Sequence, residues 1–110
     1  MDKIDDILLI LCTVPDADTG RRIATDLMEY RLAACVNLLP EITSIYRWRG
    51  KAETGTEVLL MIKARAADYP ALETRIRSQH PYELPEIIAV PVTAGLPAYL
   101  DWVRNPDEAT

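Results

Sequence analysis

The chain has 110 residues, with 12 Lys and Arg against 17 Asp and Glu and a formal net charge of −5. This length suits one domain, and we predict a single domain over residues 1–110, with a core from about 5 to 104 and a flexible C-terminal tail. The acidic balance and the absence of a basic stripe argue against a nucleic-acid partner. The longest apolar run, Ile7–Cys12, is far shorter than the roughly 20 residues that span a bilayer, which argues against membrane insertion.

The first residues and the cysteine usage indicate the compartment. Acidic residues outnumber Lys3 ahead of the first apolar run, unlike the basic start of a secretory signal, so we expect a cytoplasmic protein. The two cysteines, Cys12 and Cys35, form no Cys-x-x-Cys pair, so we expect reduced, buried thiols.

The first half of the chain predicts a strand, a helix and a long hairpin. Residues 7–14 are apolar at nearly every position, which is typical of a central strand covered on both faces. Asp16 is placed to cap a helix that we expect to run to about Arg31. Two extended stretches follow, the first interrupted by Pro40, and we expect Gly50 and the polar residues 51–56 to form the turn between them.

The second half predicts a helix, a strand and a short terminal helix. Asp68 is placed to cap the helix, on which Glu73 and Arg77 have the spacing of an exposed i, i+4 ion pair. Residues 86–91 form the fourth predicted strand, and residues 96–103 the last helix.

The predicted order is β-α-β-β-α-β with a short C-terminal helix. We therefore expect an α+β protein with a ferredoxin-like antiparallel sheet and a long hairpin between the second and third strands. The polar tail from Asn105 to Thr110 is expected to fray.

The strands predict self-association. Leu9 and Leu11 alternate with Leu8 and Ile10, so both faces of the first strand are apolar, whereas a sheet covered by helices on one face should alternate with polar residues. An exposed apolar sheet face would invite aggregation, so a second copy is expected to cover it. The alternative is that the terminal helix alone covers this face. Strand patterning does not decide between a trimer and a dimer.

Four ordered segments resemble the successive signature segments of the CutA family of divalent-cation-tolerance proteins. They are Leu11-Cys12-Thr13-Val14-Pro15-Asp16, Arg31-Leu32-Ala33-Ala34-Cys35-Val36-Asn37, Ile45-Tyr46-Arg47-Trp48-Arg49-Gly50-Lys51 and His80-Pro81-Tyr82-Glu83-Leu84-Pro85-Glu86-Ile87. The resemblance extends to Tyr99-Leu100-Asp101-Trp102 and so covers almost the whole chain. It implies a ferredoxin-like homotrimer, joined by its long hairpins, that acts in tolerance to copper and other divalent cations.

The resemblance also implies a metal site. In copper-binding relatives, the cysteine of the first strand and two adjacent histidines are the implicated ligands, and these positions fall on Cys12, Gln79 and His80. Gln79 replaces one histidine, and an amide is a poor ligand for a soft or borderline metal, so the site should be weakened. Copper or another divalent cation is thus the predicted partner ion, with none required for folding.

Structural roles compete with these functional ones. Free cysteine is among the most buried residue types, so Cys12 on its own reads as a core residue, and Cys35 more so. His80 could simply cap a helix or donate a hydrogen bond. The segment after it, with Tyr82, Glu83 and Glu86, could line a pocket between subunits, and Trp48 could either join that pocket or anchor an interface.

The residues indicate no catalysis. One histidine and two serines offer no nucleophile paired with a base, and no GxSxG motif or P-loop occurs. Two other functions remain open: a signalling trimer resembling the PII-type regulators, with a small ligand between subunits, and a non-catalytic trimer that anchors partner proteins. No glycine-rich phosphate-binding loop favours a nucleotide ligand.

Overall fold

The structure is a computed structural model that describes residues 6–108. Its strands and helices, in chain order, are β1 (Ile7–Val14), α1 (Ala17–Glu29), β2 (Cys35–Trp48), β3 (Lys51–Arg65), α2 (Tyr69–Gln79), β4 (Ile87–Pro91) and α3 (Pro97–Arg104). The strands form one sheet in the order β2-β3-β1-β4, with β1 antiparallel to both β3 and β4 and β2 antiparallel to β3. The predicted ferredoxin-like α+β fold is confirmed.

The core lies between one face of the sheet and the two longer helices. Alternate side chains of β1 and β3 point to this face, and most of them are buried; Ile10 and Leu60 have no exposed surface. Ile23 and Leu27 of α1 and Leu72 and Ile76 of α2 close the layer from the other side, each with no exposed surface. The apolar side chains at helical spacing on α1 and α2 thus pack against those at every second position of the strands and form one apolar layer.

The helix ends follow local hydrogen bonds. The Asp16 carboxylate accepts a hydrogen bond from the Thr19 amide at 2.8 Å, so the predicted cap of α1 is confirmed. α1 ends at Glu29, two residues before the predicted end at Arg31. Arg31 itself has a positive φ of 56°, which is not helical. The predicted cap of α2 is wrong: the Asp68 carboxylate instead accepts from the Arg65 guanidinium at 2.9 Å.

A second local prediction on α2 is also wrong. Glu73 accepts a hydrogen bond from the Tyr69 hydroxyl at 2.8 Å, one turn before it, rather than pairing with Arg77. A tyrosine hydroxyl held near the carboxylate by half-buried packing competes well with an exposed ion pair, which gains little in water.

The hairpin of β2 and β3 is longer than the sequence indicates. Residues 51–56 are part of β3, and the turn consists only of Arg49 and Gly50, with φ of 51° and 81°. Two consecutive positive φ values match the twist of a two-residue hairpin, and glycine meets this demand at the second position. Pro40 does not end β2: a bulge between Leu39 and Ile42 absorbs it.

The chain ends of the described region complete the fold. Pro106–Glu108 forms a 3-10 turn, where the sequence indicates fraying, and residue 5 of the predicted core and residues 109–110 of the tail lie outside the described residues. No helix within residues 6–108 is long and apolar enough to cross a membrane.

Candidate functional site

Cys12 lies in the middle of β1 with its side chain in the core. It has no exposed surface, and its Sγ lies 3.8 Å from the Thr13 carbonyl oxygen. Burial, and then the negative charges of Glu86 and Glu57, raise the pKa of the Cys12 thiol from 9.0 to about 12. Because the thiolate is the form that binds a metal, this environment disfavours Cys12 as a ligand near neutral pH.

His80 follows the last residue of α2, and both of its ring nitrogens have partners. The residue is extended, with φ −79° and ψ 134°, as expected immediately before Pro81. Its Nε2 lies 2.8 Å from the Thr13 carbonyl oxygen, and its Nδ1 lies 3.2 Å from the Tyr82 backbone nitrogen. A metal ligated by His80 would therefore have to displace one of these two hydrogen bonds.

Gln79 points away from His80, toward α1. Its amide nitrogen donates to the Asp26 carboxylate at 3.0 Å and to the Arg75 carbonyl at 3.1 Å. The three residues at the implied copper positions thus do not converge as a donor set: a neutral buried thiol, an imidazole with both nitrogens engaged and an amide on another face. Within residues 6–108 no group of three or more His, Cys, Asp and Glu side chains could hold a metal ion. As folded, these residues do not fit a copper site.

Two residues that the sequence does not predict for the pocket, Glu57 and Arg49, contact the predicted pocket residues Tyr82 and Glu83. Tyr82 donates its hydroxyl to the Glu57 carboxylate of β3 at 2.7 Å. Glu83 accepts two bonds from the Arg49 guanidinium, at 3.2 and 3.3 Å, and this guanidinium lies 5.3 Å from the centre of the Trp48 ring. The segment of residues 80–86, here called the 80s loop, is therefore joined to the hairpin at two points. Glu86 is exposed and acts on Cys12 only through its charge.

Sequence reasoning missed Glu57 and Arg49 as members of this cluster. Glu57 stands at the start of an apolar run, and Arg49 lies within a segment quoted for the family resemblance, but no local pattern assigns either to the 80s loop. Two surface depressions of about 400 and 460 Å³ lie elsewhere, and neither is lined by Tyr82, Glu83, Glu86 or Trp48. A pocket at these residues stays a prediction that requires a second subunit.

The sheet face away from α1 and α2, here called the outer face, is apolar and partly open. Register places its side chains in rows across the four strands. Its half-buried or exposed apolar residues are Leu9, Leu11, Leu39, Leu59, Met61, Ile88 and Val90. Ile88 and Val90 are 52% and 47% exposed. α3 packs against β1 and β3, yet these exposed side chains show that it does not cover the whole face.

Lys63 and Asn37 form a polar pair on the outer face. Lys63 donates its ammonium to the Asn37 side-chain oxygen and lies 3.9 Å from the Cys35 Sγ. Cys35 is half-buried on this face, so the expectation that it is buried in the core is wrong. Tyr99 of α3 lies beside it, and burial, followed by the proximity of Cys35, raises the pKa of the Tyr99 hydroxyl.

The chain is similar to known proteins along most of its length. Residues 8–106 match the family of the CutA1 divalent ion tolerance protein. The chain is 52% identical to Protein CutA of Mus musculus over 88% of its own length and 55% of that protein, so it spans about half of this relative. It is 47% identical to the divalent-cation tolerance protein CutA of Thermus thermophilus, over 88% of this chain and 94% of that one.

Solved structures of CutA proteins have the same fold as this chain. The structure of the CutA1 protein from Shewanella sp. SIB1 superposes with a TM-score of 0.89 at 43% identity, covering 96% of this chain and 98% of that one. The divalent cation tolerance protein from Thermus thermophilus gives a TM-score of 0.87 at 46% identity, covering 89% and 95%. With this degree of likeness in sequence and in fold, the chain belongs to the CutA1 divalent ion tolerance family.

Proposed function

We propose that this chain acts in divalent-cation tolerance as a non-catalytic homotrimer. The observation that carries the proposal is the apolar outer face, which the chain's own helices leave partly open. Burying apolar surface contributes about 25 cal/mol per Å². Single exposed apolar residues are normal on a monomer, whereas an apolar patch that spreads over four strands is typical of a contact surface. A second copy of the chain is the occupant that this face fits.

The polar groups of the outer face support coverage by another protein surface. Lys63 would be costly to bury without a partner, but Asn37 already accepts its hydrogen bond. Among residues 6–108, no buried side-chain nitrogen or oxygen lacks a hydrogen-bond partner. Another protein surface can therefore cover the outer face, and Lys63 keeps its hydrogen-bond acceptor.

The hairpin supplies a second contact region. Ile45 and Tyr46 near its tip are 75% and 49% exposed, and the long axis of the chain measures 47 Å against 26 and 23 Å for the others. β2 is an edge strand, whose free backbone groups can pair with another chain. Strand patterning predicts association, and the number three comes from the family resemblance.

The ion and the compartment belong to the same proposal. Copper binding through Cys12 and His80 stays a prediction, and the hydrogen bonds of His80 and the burial of Cys12 weigh against it. The free thiols Cys12 and Cys35 support a reducing compartment such as the cytoplasm.

Sedimentation of two matched variants tests the assembly. Ile88→Glu places a charge on the outer face at a side chain that is already exposed in the single chain, so it should dissociate the trimer while the fold is kept, as far-ultraviolet circular dichroism would show. Met28→Glu places the same charge at an exposed position on α1 and should stay trimeric. A wild-type protein that sediments as a monomer would remove the proposal.

Calorimetric titration tests the ion separately. Copper is titrated into the wild type, Cys12→Ser and His80→Ala, with Cys35→Ser as a matched thiol control. Binding heats that vanish in Cys12→Ser and His80→Ala alone would support the site. Equal heats in all four proteins would remove Cys12 and His80 as ligands. Growth at raised copper concentration, with and without the chain, tests the tolerance role itself.

A further inference from the structure

The hydrogen-bond partners of the His80 ring indicate which of its two nitrogens carries a proton. The Thr13 carbonyl can only accept, so His80 Nε2 carries the proton and donates at 2.8 Å. The Tyr82 backbone N–H can only donate, so His80 Nδ1 is unprotonated and accepts at 3.2 Å. The contacts thus require the neutral Nε2–H tautomer, with no ring nitrogen free.

These two bonds connect distant parts of the chain. Thr13 lies near the end of β1 and is 6% exposed, whereas Tyr82 lies two residues beyond His80 in the 80s loop. The His80 and Tyr82 rings also pack together, with 4.7 Å between centroids and a tilt of 53°. His80 therefore fixes both the backbone and the ring of Tyr82 relative to β1.

The fixed Tyr82 then reaches the hairpin. Its hydroxyl donates to Glu57 at 2.7 Å, and burial, followed by this bond, raises the pKa of the Tyr82 hydroxyl well above its usual range. The phenol accordingly stays protonated and able to donate. The next residue, Glu83, meets Arg49 at the hairpin turn. A chain of contacts thus runs from β1 through His80 and Tyr82 to the hairpin.

We propose that His80 is a latch that docks the 80s loop between β1 and the hairpin, and that this role withholds the imidazole from a metal while the loop is docked. The latch explains why the single histidine of the chain stands here. It goes beyond the proposed trimer and does not depend on it, because each contact lies within one chain.

The first test reads the tautomer directly. His80 is the only histidine, so its ring nitrogens give the only imidazole signals in a long-range ¹H–¹⁵N spectrum of the ¹⁵N-labelled protein at neutral pH. We expect the pattern of the Nε2–H tautomer, unchanged by an equimolar amount of copper. A pattern of the Nδ1–H tautomer or of rapidly exchanging tautomers, or ring signals lost at equimolar copper, would overturn the proposal.

The second test separates the two bonds by substitution. His80→Asn keeps an acceptor near the Nδ1 position, His80→Gln keeps a donor near the Nε2 position, and His80→Ala removes both. Hydrogen exchange of the Tyr82 amide is the readout. We expect exchange about tenfold faster in His80→Ala and in His80→Gln, with protection largely restored in His80→Asn.

Two controls keep the result specific. Ser78→Ala removes a side-chain bond to the Arg75 carbonyl one turn before the loop and should leave Tyr82 exchange unchanged. Tyr82→Phe removes the bond to Glu57 but keeps the backbone amide bonded to His80, so its amide at position 82 should stay protected. Equal exchange rates in the wild type and His80→Ala would refute the latch, whatever the oligomeric state.

Discussion

The guanidinium of Arg75 donates through Nε to the carboxylate of Asp26 at 3.0 Å, which joins α2 to α1 across the outside of the core. The pair is partly shielded: the Asp26 side chain is 15% exposed, and the Arg75 guanidinium lies 4.0 Å from the centre of the Tyr30 ring. Gln79 adds a second donor to the same carboxylate.

Asp26→Asn should reduce stability in a pH-dependent way. Hydrogen bonding to Arg75, and then to Gln79, lowers the pKa of Asp26 in the folded chain. The contribution is therefore complete above the unfolded-state pKa and is lost as pH falls through the folded one. Urea unfolding should show a larger difference between wild type and Asp26→Asn at about pH 7 than at about pH 3.

The control for Asp26 is Asp101→Asn. Asp101 also pairs with an arginine, but within one turn of α3, and its side chain is 75% exposed. Its substitution should change stability little at either pH. A loss for Asp26→Asn that does not vary with pH would contradict the proposed role of its charge.

Gly20→Val should destabilise the chain by about 1–3 kcal/mol. A Cβ at Gly20 would lie 3.1 Å from Leu38 Cδ2 and 3.2 Å from Leu60 Cδ2, so the larger side chain would push α1 away from the sheet. Gly55→Val is the matched control, since a Cβ there meets nothing within 4 Å and a branched residue suits a strand. Thermal unfolding measures both, and equal losses at the two sites would contradict the close approach of α1.

Tyr82 and Glu57 should be coupled by about 1.5 kcal/mol, the lower end of the range for a hydrogen bond to a charged group. A double-mutant cycle with Tyr82→Phe and Glu57→Ala measures this term by urea unfolding. Tyr69→Phe removes another tyrosine hydroxyl, one that donates to Glu73, and should be additive with Glu57→Ala. Additivity in the Tyr82 cycle would indicate that the 80s loop is not held on β3.

Cys12 should destabilise the chain at alkaline pH. Its folded pKa is raised from 9.0 to about 12, so its contribution is complete below the unfolded value and is lost as pH rises toward the folded one. Cys12→Ala abolishes this loss, so its stability relative to wild type should improve between about pH 8 and about pH 10.5. Cys35→Ala is the control, because Cys35 is half-buried outside the core. A constant difference for Cys12→Ala would contradict the buried, neutral thiol.

The sequence predicts those features of the fold that depend on interactions between residues close together in the chain. The apolar run of β1, the cap at Asp16 and the hairpin were predictable because each depends on residues close together in the chain. The α2 cap was not, because Asp68 has two possible donors and the nearby Arg65 supplies a charged one. The predicted turn lies too late in the chain and is too long, because polar residues 51–56 are typical both of a loop and of an exposed strand.

The candidate site shows where sequence reasoning ends. Side-chain chemistry indicates Tyr82, Glu83 and Trp48 as candidates. Glu57, the partner of Tyr82, and Arg49, the partner of Glu83, lie 25 and 34 residues away along the chain. Only the course of the hairpin brings them together, and no local spacing encodes it. Likewise, resemblance identified His80 as a ligand position, while the hydrogen bonds on both sides of its ring depend on β1.

The bulge between Leu39 and Ile42 divides the hairpin into two segments that differ in burial. Below it, β3 contributes Val58, Leu60 and Ile62 to the core, whereas no residue from 42 to 57 is buried. Glu41, with a φ of 58°, marks the division. Since no residue of the upper segment is buried, its sequence can vary away from Arg49 and Glu57, which hold the 80s loop, at little cost to the folding of the lower segment.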